Sequence, residues 1–73
     1  DNAVITMPIS NNLKNVRKEK HCYQKDVALA TGICPRSISN IERGEYYPSL
    51  ETALRMAKYF KVPVEELFIL TEE

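Results

Sequence analysis

Seventy-three residues, of which 44% are hydrophobic, allow one small domain, and ten basic side chains balanced by ten acidic ones exclude a generic polyanion binder. No apolar run approaches the ~18 residues of a membrane span, and Asp1 to Thr6 lacks the basic and apolar segments of a signal peptide. The expected place of work is therefore the cytoplasm, with no membrane contact. Two cysteines and one histidine, without a Cys-x-x-Cys pair, fall short of a zinc set, and no cofactor is expected. A disulfide is not expected in a reducing compartment. A domain this small buries only about 60% of the surface its unfolded chain exposes, so a partner subunit would help it.

Residues 1–9 read as an N-terminal arm, residues 10–70 as the folded domain and 71–73 as a tail. Met7-Pro8 is where a natural chain can start, with 1–6 then an added leader. Ser10 or Asn11 can cap a first helix over 10–20, on which Leu13 and Val16 form a thin apolar stripe. Residues 21–23 connect it to a second helix over 24–31. There Val27, Ala28 and Ala30 are small enough for another helix to approach, and Leu29 adds bulk. Gly32 can take the left-handed conformation that ends a helix.

A third helix is expected over 35–43. Pro35 suits its first position, where a missing N–H is no loss, while Cys34 is a weak cap. Ile38 and Ile41 mark the buried side, leaving Arg36, Ser37, Ser39, Asn40 and Arg43 outside. Gly44 ends it. After a loop, Ser49 caps a fourth helix over 50–60, with Leu50, Ala53, Leu54, Ala57 and Phe60 on one stripe. A fifth helix starts near Pro63, with Glu65 and Glu66 favouring its dipole, and runs through Leu67, Phe68, Ile69 and Leu70. No strand of any length, internal repeat or low-complexity segment is apparent. The expected class is all-α with five helices.

Charge is unevenly spread. Residues 11–44 carry seven basic side chains against three acidic, and residues 45–73 three against six. One face is thus expected to turn toward phosphates and another away from them. Within the basic half, residues 23–44 place two short helices either side of a glycine turn, the helix-turn-helix pattern. An α-helix fits the major groove, where each base pair presents its own donors and acceptors.

The ordered set Leu13-Lys14, Arg17, Gln24, Ala28, Gly32-Ile33, Ile38-Ser39, Ile41-Glu42-Arg43-Gly44, Pro48-Ser49-Leu50-Glu51-Thr52 and Glu66-Leu67-Phe68 resembles the Xre/Cro family of phage and plasmid repressors, over about residues 12–70. The resemblance implies a compact five-helix repressor-like domain that binds double-stranded operator DNA as a twofold homodimer, on an inverted repeat. It places Arg36, Ser37 and Asn40 at base-reading positions. Chemistry agrees: Arg forks onto guanine O6 and N7, and Asn pairs with adenine N6 and N7. It also places Gln24 at a phosphate contact at the start of the second helix, and Arg43 and Tyr46 at backbone contacts after the third. Lys25 belongs to the same phosphate-facing group. Arg17 and Glu42 match a pair that ties the first helix to the third.

Four residues depart from the family pattern. Pro35 replaces a residue that often contacts DNA, and Cys34 replaces a Ser or Thr cap. Lys61 stands where Gly often ends the fourth helix, and Pro63 where Ser or Asp often caps the fifth. Cys34 at a helix start also raises the idea of an oxidisable thiol, against the plainer reading of a small semi-buried residue. Ile69 and Leu70 are the expected dimer contacts, being more apolar than an exposed end warrants. The expected function is transcriptional regulation, as a repressor. An antitoxin that also binds a toxin protein is the alternative. An enzyme is not expected, since no phosphate loop or Ser-His-Asp arrangement is present.

Overall fold

Helices form here where apolar spacing coincides with a start or stop signal. A computed structural model describes residues 8–71; residues 1–7, most of the expected arm, and 72–73 of the expected tail lie outside it. Helix α1 is Leu13–Glu19, α2 is Gln24–Thr31, α3 is Pro35–Glu42 and α4 is Leu50–Phe60. A single 3₁₀ turn spans Val64–Glu66. Strand β1, Ile9–Asn11, pairs antiparallel with β2, Phe68–Leu70, in the register Ile9 with Leu70 and Asn11 with Phe68.

The fold is therefore mostly helical with a small sheet, and the expected all-α class with a fifth helix is corrected. Residues 64–70 offer too few turns for a helix to stand alone in water. Phe68-Ile69-Leu70 has three apolar residues in succession and no helical spacing. Pairing with β1 satisfies their inner backbone groups instead, and the Asn12 N–H donates to the Leu67 carbonyl at 2.8 Å just below the sheet. The same pairing shortens the first helix. Residues 9–11 are drawn into β1, so α1 starts at Leu13 rather than 10, after Asn12 at the cap position. Ile9, assigned to the arm from sequence, is part of the sheet.

End signals explain the other boundaries. At the start of α2 the Asp26 carboxylate accepts the Tyr23 N–H at 2.7 Å, and Gly32 closes the helix with φ 79°. At the start of α4 the Ser49 hydroxyl oxygen accepts the Thr52 N–H at 3.1 Å. Leu13, Val16, Val27, Ile38, Ile41, Met56, Phe60 and Leu67 fill the core between the helices and the sheet. The buried arc of α4 is Ala53, Met56, Ala57 and Phe60, whereas Leu50 is 75% exposed and Leu54 50%. Both leucines stand on the flank of that arc, about 100° per residue round the helix, so the expected stripe is corrected by that rotation.

Lys61 ends α4 in the left-handed region, φ 61° and ψ 42°, where a side chain is strained and glycine is not. Lys61→Gly is expected to raise stability by about 0.5–1 kcal/mol despite the looser unfolded chain. A urea melt of both proteins checks it; an unchanged or lower midpoint would mean the surroundings absorb the strain.

Candidate nucleic-acid interface

The reading head is built from α2, the Gly32 turn and α3. Ile38 and Ile41 are fully buried and fix the inner face of α3. At its start, the N–H groups of Ser37 and Ile38 return to the Cys34 carbonyl at 3.0 and 3.2 Å. Its far end is held from the sheet, where the Asn11 side-chain amide donates to the Ile41 carbonyl at 2.8 Å. The outer face of α3 is thus presented on a helix tied to the sheet at its far end.

A buried charge network joins this head to α1. Arg17 Nε lies 2.7 Å from Glu42 Oε2, and Arg17 Nη2 lies 3.2 Å from Oε1. The side chains of Arg17 and Glu42 are only 11% and 4% exposed. Arg17 Nη1 donates to the Cys22 carbonyl at 3.0 Å, which also fixes the connector before α2. Gln24 Nε2 donates to Glu42 Oε1 at 3.0 Å. One carboxylate therefore collects three donors, and the geometry of the helix-turn-helix follows from it.

On the outside, Gln24, Pro35, Arg36, Ser39, Asn40 and Arg43 line one open cleft. Four residues singled out from sequence thus meet in space: Arg36, Asn40, Gln24 and Arg43. Ser37, Lys25 and Tyr46 do not line it. The Ser37 hydroxyl instead faces the Cys34 sulfur at 3.3 Å, and Lys25 Nζ lies 5.6 Å from the centre of the Tyr23 ring. The Ser37 hydroxyl and neighbouring backbone hold the exposed Cys34 thiol below its usual value. Tyr46 and Lys25 are exposed.

One residue of the cleft, Ser39, and one beside it, Lys14, were missed as site residues. Ser39 lies one helical turn from Pro35 and so shares its face, a relation that the i to i+4 spacing carries. Lys14 lines an adjoining hollow with Arg17, Gln24, Ser39, Glu42 and Arg43, and only tertiary packing brings α1 there.

Arg43 is heavily engaged. Its guanidinium donates to Ser39 Oγ at 2.6 Å, to Asn40 Oδ1, and in a fork to Glu45 at 3.1 and 3.3 Å. The hydrogen bond and then the charge of Glu45 raise the Arg43 pKa, and the same two effects of Arg43 lower that of Glu45. Both ions are thus firmly charged near neutral pH.

Among the described residues no helix is long and apolar enough to cross a membrane. A helix-turn-helix family model matches residues 13–67. The chain is 37% identical over 65 residues to an uncharacterized HTH-type transcriptional regulator of Methanocaldococcus jannaschii, covering 89% of this chain and 98% of that one. It is 33% identical over 58 residues to the cryptic phage CTXphi transcriptional repressor RstR of Vibrio cholerae, covering 80% of this chain and 52% of that one. Its fold is similar to that of the restriction-modification controller protein C.AhdI from Aeromonas hydrophila, with a TM-score of 0.69, 26% identity, and 74% and 82% of the two chains covered. With the family model spanning α1 through the 3₁₀ turn, the chain belongs to the helix-turn-helix family, of the Xre/Cro type that its motifs resemble.

Proposed function

We propose that this chain is a sequence-specific repressor that binds double-stranded operator DNA as a homodimer, with α3 in the major groove. Family membership makes it a DNA-binding transcriptional regulator. The observation that carries the finer reading is the single cleft shared by Arg36, Asn40, Gln24 and Arg43. Two residues suited to base edges there adjoin two suited to phosphates. Arg36, exposed near the start of α3, takes guanine O6 and N7, and Asn40 takes adenine. Arg43 and Gln24 take phosphates that set the register, helped by Tyr46 and Lys25 on the flanks. Ser37 supports the first turn of α3 and contributes least to reading. Arg17 and Glu42 hold the head and touch no base. The likeness to a phage repressor favours repression over activation.

The dimer contact is proposed at β2, through Leu70 and Ile69, which are 63% and 47% exposed. Side chains alternate along a strand, so Leu70 shares a face with Ile9 and Phe68 while Ile69 points the other way. Ile9 and Phe68 line an apolar groove with Leu50, so Leu70 adjoins a wider apolar surface and is the stronger contact. Two heads joined this way read half-sites about one DNA turn apart.

The test is selection of binding sites from random duplex DNA, followed by affinities for Arg36→Ala and Asn40→Ala. Each substitution is expected to lose about 1–3 kcal/mol on the selected site and to relax preference at one base pair. An inverted repeat among the winners supports the homodimer; a single half-site removes it. Equal losses on all sequences would demote both residues to phosphate contacts.

A further inference from the structure

We propose that Glu45 is an internal anion that occupies Arg43 in the free protein and gives way to a DNA phosphate, so that its charge sets how tightly the reading head holds DNA. This rests on the DNA-reading function proposed above. Arg43 and Glu45 form a forked pair, the geometry in which a guanidinium also receives a phosphate. One guanidinium cannot present the same donors to both anions at once, so the phosphate must replace the carboxylate. The pair is placed for such an exchange, because its two side chains are 55% and 58% exposed.

The turn that delivers Glu45 is built independently of its carboxylate. Gly44 takes φ 76°, and the Glu45 N–H donates to the Asn40 carbonyl at 2.9 Å. Substituting the side chain therefore leaves the loop in place. The exchange also reaches the base-reading residue. Arg43 donates to Asn40 Oδ1 in the closed arrangement, and that oxygen is the acceptor an adenine N6 amino group needs. When a phosphate draws Arg43 away, the Asn40 oxygen is released beside the groove. Glu45 is thus a positioning residue for Asn40 as well as a competitor for Arg43.

Removing any negative charge near DNA tightens binding, so the test must separate a local latch from long-range charge. The wild type, Glu45→Gln, Arg43→Gln and the double variant form a cycle that isolates the pair. Dissociation constants are measured for each, on the selected operator and on a random duplex, across salt. Glu45→Gln is expected to tighten binding about two- to fivefold at low salt, the range of an exposed ion pair. The salt slope should change by less than about 0.9, the share of one phosphate, since Arg43 neutralises the same phosphate in both complexes. In the Arg43→Gln background the same substitution should have less than half its effect. Equal effects in both backgrounds would overturn the latch and leave only a diffuse charge; no effect in either would overturn it too and leave no charge effect at all. A wild-type chain that binds neither duplex would overturn the DNA-reading function itself; a wild type that binds, with an unresponsive cycle, overturns the latch alone. Melting midpoints of the four proteins should agree closely, since the pair is solvent-exposed.

Discussion

Glu42→Ala is expected to destabilise the protein by about 3–5 kcal/mol, because it leaves the Arg17 guanidinium buried without its counter-ion. A domain of 73 residues has roughly 4–11 kcal/mol of total stability, at about 0.05–0.15 kcal/mol per residue. The loss is thus a large share of the whole, and a substantial unfolded fraction is expected at physiological temperature. The reason lies in the number of groups that converge on one carboxylate. Arg17 supplies two donors and Gln24 a third, while the Glu42 side chain is 4% exposed. Arg17 would keep only the Cys22 carbonyl as a partner in the protein. A second variant separates the ion pair from packing. Arg17→Met with Glu42→Leu removes both charges, and such replacements are often neutral or stabilising. That double variant should recover most of the loss while leaving Gln24 without its acceptor. Urea titration of the three proteins measures this. A loss below about 1 kcal/mol for Glu42→Ala would place the pair with screened surface bridges.

Local signals carried most of the helical framework. The bounds of α2 and α4 follow from Gly32 and Ser49, and Pro35 and Gly44 bracket α3. The pairing of Arg17 with Glu42 was legible only through resemblance, since twenty-five positions separate them. The sheet was not legible. Its strands are three residues each, too short for an alternating pattern, and Thr71 meets Pro8 across sixty-three positions. Leu50 and Leu54 looked like core because α4 carries more apolar residues than its buried arc can hold. Exposure of the flank is decided by what packs opposite, and no local pattern contains that. Of the candidate site, residue types and helical face were readable at Arg36 and Asn40. The engagement of Arg43 by Glu45 was not, because it depends on the turn at Gly44. Gln24 shows the same limit: the sequence offered it as a phosphate contact, and its amide is bonded to Glu42.

Ile38→Ala is expected to cost about 2–5 kcal/mol, the range for removing a large aliphatic side chain from a core that cannot fully collapse. Ile38 is 0% exposed and sits on α3 between Arg36 and Asn40, the two residues proposed to read bases, facing the opposite way. Its side chain therefore does two things. It supplies core volume beside α2, and it sets the rotation of the helix that aims Arg36 and Asn40 outward. The anchor at the far end of α3, the Asn11 amide on the Ile41 carbonyl, would persist in the variant. The cavity would then appear in the middle of the helix, beneath the reading face. Stability and reading should respond differently. At a low temperature where the variant is still folded, affinity for random duplex should change little, because the phosphate contacts proposed at Gln24 and Arg43 are made by side chains that bond to Glu42 and Glu45 and not to Ile38. Affinity for the selected operator should fall toward that of random duplex, since an α3 free to rotate holds its base contacts only part of the time. Ile38→Val, costing about 0.5–1.5 kcal/mol, should keep most of the discrimination. Urea midpoints and paired affinities for operator and random DNA decide between the two roles. If Ile38→Ala melts early but discriminates as the wild type does, the Asn11 anchor and the Arg17–Glu42 network orient α3, and Ile38 supplies volume alone.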